Sequence, residues 1–585
     1  MKQKALREVV YSRIMADEQE IASDVCAGSE PEIERAESSE AEPVKEPDES
    51  AAAEGDIGEA GCPIVKREIG GSRCGRKLHV ALEGADEYSV CLMHSKDPRK
   101  QSGPLFDAFW LEFERILAEA GENEAHFERF VFPQLNFRER KFKASCRFSF
   151  ATFMQNTDFN NATFTQNAYF DRVTFSHYAD FSRATFTQNA EFGSATFAGG
   201  AEFYEATFSQ EAYFVGATFT HDASFAHAVF EQLASFTQAT FTQEANFNGA
   251  MFRQNAHLLL TVFRQEAHFI DTTFRMSADF PLATFTQATR FANTHFLGMA
   301  NWKRSRFLDQ AEFRCTKFEP QVEGEPSAVF ALAKFSKPSE IVFDDVDLSR
   351  ALFHDCDVSE VWFSSSVGWA KREGDRGLKV FEETIDLKQE FAEGLQRDGQ
   401  RDYRAVAQIY QQLKKNYDSR LDYWTANEFH FGEMEMKRLA GPTDGPFLWL
   451  RQWWHPRLSL VALYRYASDY GNSYGKPMLW LLGTLVLFAA LLPLPGVGLK
   501  RQGATQAETY ASVWRAGDSV GPNLWAEARL AGKGAITSVD AATFQKSAEY
   551  APAYPWGRVL AIFETLLTSS LFALFLLAIR RQFRR

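Results

Sequence analysis

Large apolar side chains recur at alternating steps of six and five residues along the middle of the chain. The series runs from Phe153 to Phe318, which is fifteen periods of eleven residues without a slip. Leu258 and Trp302 replace Phe at two of these positions, and both are also large and apolar. A small residue, usually Ala, stands two positions before nearly every Phe. A strict internal repeat of this kind is stronger evidence for the architecture than local secondary-structure propensities.

An eleven-residue period fits either a right-handed supercoil of helices or a β-solenoid. On a helix, the two Phe of one period would lie about 120° apart and form no narrow seam. The unit is also rich in Thr, Asn, Gly and Phe, which are poor helix formers. In a solenoid with one face per five or six residues, Phe and Ala point inward, and four faces take about 22 residues per coil. The pattern therefore predicts a mainly β, four-sided solenoid with a stacked Phe core.

The five-residue periodicity of apolar residues extends beyond the main series, with a break at 319–329. Its further members are Phe132, Phe137, Phe142, Phe148, Phe343, Leu348, Phe353, Val358 and Phe363. An inward Phe or Leu preceded at two positions by Ala, every five residues, resembles the Phe-centred branch of the pentapeptide-repeat family. The resemblance covers residues 132–363 and implies a right-handed quadrilateral β-helix. It implies very little about activity.

Residues 1–61 are predicted to form a disordered acidic arm. Between residues 17 and 60 there are sixteen Asp or Glu against only Arg35 and Lys45. Such a stretch cannot bury enough apolar surface to order itself. The formal net charge of −14 also argues against general nucleic-acid binding, so no nucleic-acid partner is expected.

A compact cysteine cluster occupies residues 62–100 and predicts a small metal module. Cys91 and His94 have the Cys-x2-His spacing that lets both side chains turn onto one ion, and Cys62 and Cys74 complete the set. Three thiolates and an imidazole make a closed tetrahedral set suited to structural zinc. The alternative is a group of free cysteines in a reducing compartment. Residues 91–100 also resemble a small Cys/His module found ahead of bacterial pentapeptide repeats.

The region 104–131 is predicted to cap the first coil of the solenoid. Residues 106–120 place Phe106, Phe109, Trp110, Phe113 and Leu117 on one helical face. Solenoids need such caps because their terminal coils would otherwise expose apolar surface.

Residues 375–474 are predicted to be a helical juxtamembrane region, because apolar residues recur at steps of three and four. The segments 413–417, 429–438 and 464–471 resemble the corresponding part of membrane-anchored pentapeptide-repeat proteins. Glu433 and Glu435 invite a catalytic interpretation, but solvated helix charges paired with Lys437 and Arg438 are the expected arrangement.

Two apolar runs, 477–499 and 559–579, are each long enough to cross a bilayer. Positive charge lies before the first run and after the second, in the basic tail 580–585. The positive-inside rule then predicts a multi-pass inner-membrane protein with both termini in the cytoplasm. The loop 500–557 would lie outside the cytoplasm.

The second run is similar to the inner helix of simple two-helix tetrameric cation channels, including Glu564 near its start. An ionisable residue inside a membrane segment is a functional-site hypothesis by default. The sequence departs from that family because no Thr-Val-Gly-Tyr-Gly filter is present, and the loop offers only residues 516–522 in its place. A conducting pore and a channel-like fold that serves only to anchor or oligomerise the chain both remain open.

No sequence motif for catalysis is found: a P-loop, a nucleophile elbow and a His-Glu-x-x-His pair are all missing. We therefore expect a non-enzymatic membrane-anchored scaffold, whose cytoplasmic solenoid binds protein partners and whose membrane helices support homo-oligomers. The alternative is a channel-like ion transport protein in which the solenoid is a regulatory domain.

Overall fold

The computed structural model describes residues 61–66, 72–319, 322, 324–372, 377–389, 392–397, 400–441, 448–494, 497–501, 509–510, 520–543 and 550–582. Apart from Gly61, the predicted acidic arm lies outside the described residues. Residues 583–585 of the predicted tail and residues 516–519 of the predicted filter segment also lie outside them.

Four parallel sheets form the four faces of a solenoid of about eleven turns. The first face contains the strands Glu124–His126, Ser145–Arg147, Ala168–Tyr169, Ala190–Glu191, Ala212–Tyr213, Ala234–Ser235, Ala256–His257, Ala278–Asp279, Ala300–Asn301, Ala328–Val329 and Ala351–Leu352. The second face contains Val131–Phe132, Thr152–Phe153, Thr174–Phe175, Thr196–Phe197, Thr218–Phe219, Thr240–Phe241, Val262–Phe263, Thr284–Phe285, Arg306–Phe307 and Lys334–Phe335.

The third face lies opposite the first and the fourth lies opposite the second. The third face contains Leu135–Asn136, Thr157–Asp158, Ala179–Asp180, Ala201–Glu202, Ala223–Ser224, Ala245–Asn246, Ala267–His268, Thr289–Arg290, Ala311–Arg314, Ile341–Asp344 and Trp362–Phe363. The fourth face contains Lys141–Phe142, Thr163–Phe164, Thr185–Phe186, Thr207–Phe208, Val229–Phe230, Met251–Phe252, Thr273–Phe274, His295–Phe296 and Lys317–Phe318. The predicted four-sided solenoid is confirmed.

Successive coils have the same kind of core residue and the same backbone conformation at their corners. Thr163 pairs with Thr185, so one coil takes 22 residues, and inward Phe rings stack directly on one another. The rings of Phe170 and Phe192 are 4.9 Å apart and nearly parallel. Alternate corners use a left-handed backbone conformation every eleven residues, from Arg172 to Arg304. Such corners cost of order 1 kcal/mol each for residues other than Gly, and the buried Phe ladder offsets that cost.

The break in the repeat at 319–329 is an insertion within one coil. Ala300 pairs with Ala328, and Arg306 with Lys334, so the register there is 28 residues instead of 22. The ladder continues after the insertion, with Ala328 paired to Ala351. The core therefore continues through the break.

The N-terminal cap is helix α1, Pro104–Ala120, which buries Phe109 and Phe113 against the first coil. The solenoid itself begins at Glu124, inside the region 104–131 that was assigned to the cap. Ala125 and Phe127 carry the repeat's own Ala-x-Phe pattern and are fully buried, which explains the earlier start. A short 3-10 helix, Pro98–Gln101, precedes α1.

The C-terminal end of the solenoid is closed by helices α2, Tyr403–Ser419, and α3, Tyr423–Leu439. Asp402 and Asp422 cap the two helices, and Leu421, with a φ of 64°, turns the chain between them. Tyr417 of α2 stacks on Phe363, the last Phe of the solenoid. Between the solenoid and α2 lie one 3-10 helix, Phe381–Glu383, and two hairpins, Ala370–Lys371 with Leu378–Lys379 and Gln396–Arg397 with Gln400–Arg401. A further 3-10 helix, Pro338–Glu340, lies within the solenoid, directly before the strand Ile341–Asp344.

Helices α4, Leu448–Leu458, and α5, Leu460–Ser468, follow. Glu433 and Glu435 are paired as expected, but the expectation that they are solvated is wrong, since both are buried. Glu433 contacts Lys437 at 2.5 Å, and Glu435 is bound by Arg438 and by Arg465 from α5. The sequence pattern did not show that α5 covers this face of α3.

The C-terminal part contains helices α6, Gly475–Leu491, α7, Val520–Ala542, and α8, Pro555–Gln582. Among the described residues, one helix is long and apolar enough to cross a membrane. It comprises residues 555–581, within α8. α6 is a shorter apolar helix. It ends before the predicted boundary at 499, because Pro493 cannot continue a helix and Leu499–Arg501 forms a strand with Thr509–Tyr510 and Tyr550–Pro552.

The region 500–557 is more than a simple connecting loop. Within it, α7 packs against both α6 and α8. Gly534 of α7 lies so close to the carbonyl oxygen of Ala489 that no side chain would fit between them. At its other end α8 contacts α5, and Arg581 donates to the carbonyl oxygen of Tyr470, just after α5, at 2.9 Å.

Candidate functional site

The Cys/His module is built on a β-hairpin and a tight turn. The strands Val65–Lys66 and Ser72–Arg73 pair antiparallel, and backbone bonds of 2.8 Å from Cys74 to Ile64 and from Cys62 to Arg76 bring the two cysteines together. On the other side, the amide of His94 donates to the carbonyl oxygen of Cys91 at 3.0 Å. This turn directs the side chains of Cys91 and His94 toward the same position.

The four predicted ligands meet at one place. Their donor atoms all lie within 4.8 Å of one another. The Nδ1 atom of His94 is 3.4 Å from the Sγ atom of Cys62 and 3.2 Å from that of Cys91, and Cys74 Sγ is 3.9 Å from Cys91 Sγ. A tetrahedral ion with bonds of about 2.3 Å to sulfur and about 2.0 Å to nitrogen needs donor separations of about 3.5–3.8 Å. The donor set and its spacing therefore fit zinc.

The electrostatics of the cluster favour a thiolate at Cys74. A hydrogen bond from Cys91 lowers the pKa of the Cys74 thiol far below its usual value, and bonds from His94 and Arg76 act in the same direction. The same contact with Cys74, together with burial, raises the pKa of Cys91. This contact therefore favours a thiolate at Cys74 and a thiol at Cys91, and a metal bound by both sulfur atoms would displace the proton of the thiol.

Surrounding residues tie the cluster to both the cap and the first coil. The Nε2 atom of His94 lies 3.3 Å from the carbonyl oxygen of Glu128, which leaves Nδ1 as the ligand atom. The guanidinium of Arg76 donates to Cys74 Sγ at 3.3 Å and to Glu112 of α1 at 2.9 Å. Glu128 and Arg76 were missed from the sequence, because neither lies at a ligand spacing.

The site is closed. Cys62, Cys91 and His94 are buried and Cys74 is partly buried. Four protein ligands leave no position for a substrate water, so a metal here would hold the hairpin, α1 and the solenoid end together.

Glu564, the second predicted site, lies inside the bundle of α6, α7 and α8 and is fully buried. Its Oε1 atom is hydrogen-bonded by the hydroxyl of Ser538 on α7, and Oε2 has no hydrogen-bond partner among the described residues. The Ser538 hydroxyl also lies 3.3 Å from the carbonyl oxygen of Leu485 on α6. Ser538 was missed because it belongs to the helix that the sequence pattern left as loop.

The solenoid faces carry outward side chains in straight columns. On the third face Asp158, Asp180 and Glu202 occupy successive rungs of one ladder. The second face carries Thr at five successive rungs: Thr152, Thr174, Thr196, Thr218 and Thr240. Because the rungs are about 4.8 Å apart, each face is a long, regular surface.

Comparison with known proteins confirms the repeat. Residues 127–185, 181–229 and 214–259 match the family described as Pentapeptide repeats (9 copies). Neither the curated proteins nor the solved structures gave a match to this chain. Residues 127–259 thus contain pentapeptide repeats, and they lie within a β-solenoid that C-terminal helices follow.

Proposed function

We propose that the protein is a membrane-anchored, non-enzymatic scaffold whose β-solenoid binds protein partners in the cytoplasm. The observation that carries this proposal is the solenoid itself, with four continuous ladder faces that α1 closes at one end and α2 closes at the other. A rigid surface of this length has little ordering cost on binding.

The membrane part of the proposal rests mainly on α8, which is long and apolar enough to cross a bilayer. We infer that α6 and the residues after it form a second crossing, so that both chain ends lie in the cytoplasm of an inner-membrane protein. The basic residues before α6 and after α8 support this orientation. Association of these helices would make the scaffold a homo-oligomer.

We further propose that Cys62, Cys74, Cys91 and His94 hold a structural zinc ion. The bound metal would supply cross-linking of the cap region and no chemistry on a substrate.

The scaffold proposal is tested with the full-length protein in mild detergent. Three carboxylates on the third face are neutralised by Asp158→Asn, Asp180→Asn and Glu202→Gln, which keep the local hydrogen-bonding shape. The matched control neutralises two carboxylates on the opposite first face, by Glu191→Gln and Asp279→Asn, and one directly before its strand Ala212–Tyr213, by Glu211→Gln. A partner that uses one face should be recovered with one variant and lost with the other. Recovery of no reproducible partner by the unaltered chain would contradict the scaffold.

The channel-like alternative rests on Glu564 and on its contact with Ser538 inside the helical bundle. It is tested by ion flux in liposomes containing the full-length protein and its Glu564→Ala variant. Flux that depends on Glu564 would favour the channel, whereas silence under both voltage and pH steps would leave the bundle as an anchor.

A further inference from the structure

Helix α5 is amphipathic in an unusual sense, because its charged residue faces the protein and its apolar residues face outward. Arg465 reaches inward to Glu435 at 2.9 Å, beside the buried Ala462. Leu460, Leu463 and Tyr466 are exposed on the opposite side, and Leu460 is 85% exposed. Steps of three residues put these side chains on one stripe.

Helix α4 extends the same surface. Trp453, Trp454 and Leu458 are exposed. The guanidinium of Arg457, itself exposed, lies 4.8 Å from the centre of the Trp453 ring. Six large apolar or aromatic side chains are therefore exposed on two consecutive helices. Soluble proteins rarely expose large apolar surface of this kind.

This surface continues into the apolar helices. The indole nitrogen of Trp480, in α6, donates to the carbonyl oxygen of Tyr466 at 3.1 Å. Met478 and Leu479 of α6 are exposed beside it. The outward sides of α5 and α6 thus have the same apolar character across their junction.

We propose that α4 and α5 form an amphipathic pair that lies in the interfacial layer of a lipid bilayer, with the outward stripe toward the acyl chains. This inference rests on the proposed membrane anchoring. Trp and Tyr favour the interfacial layer because their rings have an apolar body and a polar edge. Arg457 would meet lipid phosphate there. The pair would hold the base of the solenoid at a fixed height over the membrane.

The test is tryptophan fluorescence of the full-length protein in vesicles with brominated acyl chains, compared with unbrominated vesicles. The chain has 12 Trp, so the signal of one site is the difference between the unaltered chain and a Trp→Phe variant. Trp453→Phe with Trp454→Phe reports on α4. We expect the emission of this pair to be blue-shifted and to lose most of its intensity in brominated lipid.

Two control variants separate the outcomes. Trp556→Phe reports on the start of α8, where Trp556 is exposed. Trp302→Phe places the usual repeat residue in the solenoid core and should give a signal that bromine does not quench.

If Trp556 is quenched while the Trp453/Trp454 pair is not, the interfacial position of α4 is wrong and the anchor stands. A pair that is blue-shifted yet unquenched is covered by protein, such as a second copy, which also overturns the inference. If neither site is quenched, the membrane anchoring itself fails.

Discussion

The side-chain amide of Asn416 donates to the carbonyl oxygen of Val361 at 2.6 Å and to that of Val358 at 2.9 Å. These two residues belong to the last coil of the solenoid, where no further coil pairs with the backbone. Gln412 accepts from the amide of Val358 at 3.1 Å. Helix α2 therefore closes the solenoid with hydrogen bonds as well as with the Tyr417 ring.

Asn416→Ala is expected to destabilise the last coil of the solenoid. Two buried carbonyl groups would lose their partner, at a cost of about 1–3 kcal/mol for each group left unsatisfied. Hydrogen exchange of the backbone at 351–363 should quicken, while exchange at 153–250 should not change. Lys415→Ala, at an exposed position of the same helix, serves as the control. Equal exchange at 351–363 in both variants would show that α2 does not hold the last coil.

Phe214→Ala is expected to destabilise the middle of the solenoid. The Phe214 ring is fully buried and stacks on Phe192 and on Phe236, each at 4.9 Å. Removing such a ring costs about 3–5 kcal/mol, whereas Thr218→Ala on the outward surface should change the stability by less than about 0.5 kcal/mol. Denaturant unfolding followed by circular dichroism measures both, and similar midpoints would contradict the stacked core as the main source of stability.

Cys91→Ser is expected to remove the metal from the purified full-length protein. Elemental analysis should find about one zinc ion per chain in the unaltered protein and little in the variant, because three ligands bind zinc more weakly than four. Cys146→Ser is the matched control, since Cys146 is also buried but lies in the solenoid. Chelation should quicken hydrogen exchange in α1. Equal zinc content in the two variants would reject the site.

The free energy of unfolding is expected to depend on pH through the carboxyl group of Glu382. Burial raises the pKa of Glu382 from its usual 4.5 to about 7, and the side chain is fully buried. The folded chain then holds this proton more tightly than the unfolded chain, so its contribution to stability is complete below pH 4.5 and is lost as the pH rises through about 7.

Glu382→Gln should remove that dependence. Relative to the unaltered chain, we expect the unfolding free energy of the variant to rise by about 3 kcal/mol between the two ends of this pH window. Glu340→Gln, at an exposed position, should keep the dependence of the unaltered chain. Parallel pH profiles for Glu382→Gln and the unaltered chain would show that this carboxyl group does not titrate as the structure indicates.

The solenoid core could be predicted from the sequence because every buried position repeats at a fixed interval. The clustering of Cys62, Cys74, Cys91 and His94 could be predicted because thiol and imidazole groups are rare and closely spaced. By contrast, the burial of Glu435 could not be predicted, since it depends on α5 folding back across α3. The helix α7 was missed because its Gly, Ala and charged residues give no regular apolar face, and its packing against α6 and α8 depends on contacts distant in the chain.

The insertion in the coil after Ala300 shows that the ladder tolerates extra residues without losing its axis. The same independence of neighbouring coils makes the length of the solenoid adjustable. Deleting one whole coil of 22 residues, the register between Thr163 and Thr185, would leave both caps intact. The Cys/His module and the C-terminal helices would move closer by about 4.8 Å, the spacing of neighbouring strands. The distance between the two ends of the solenoid can therefore be set in steps of a single coil.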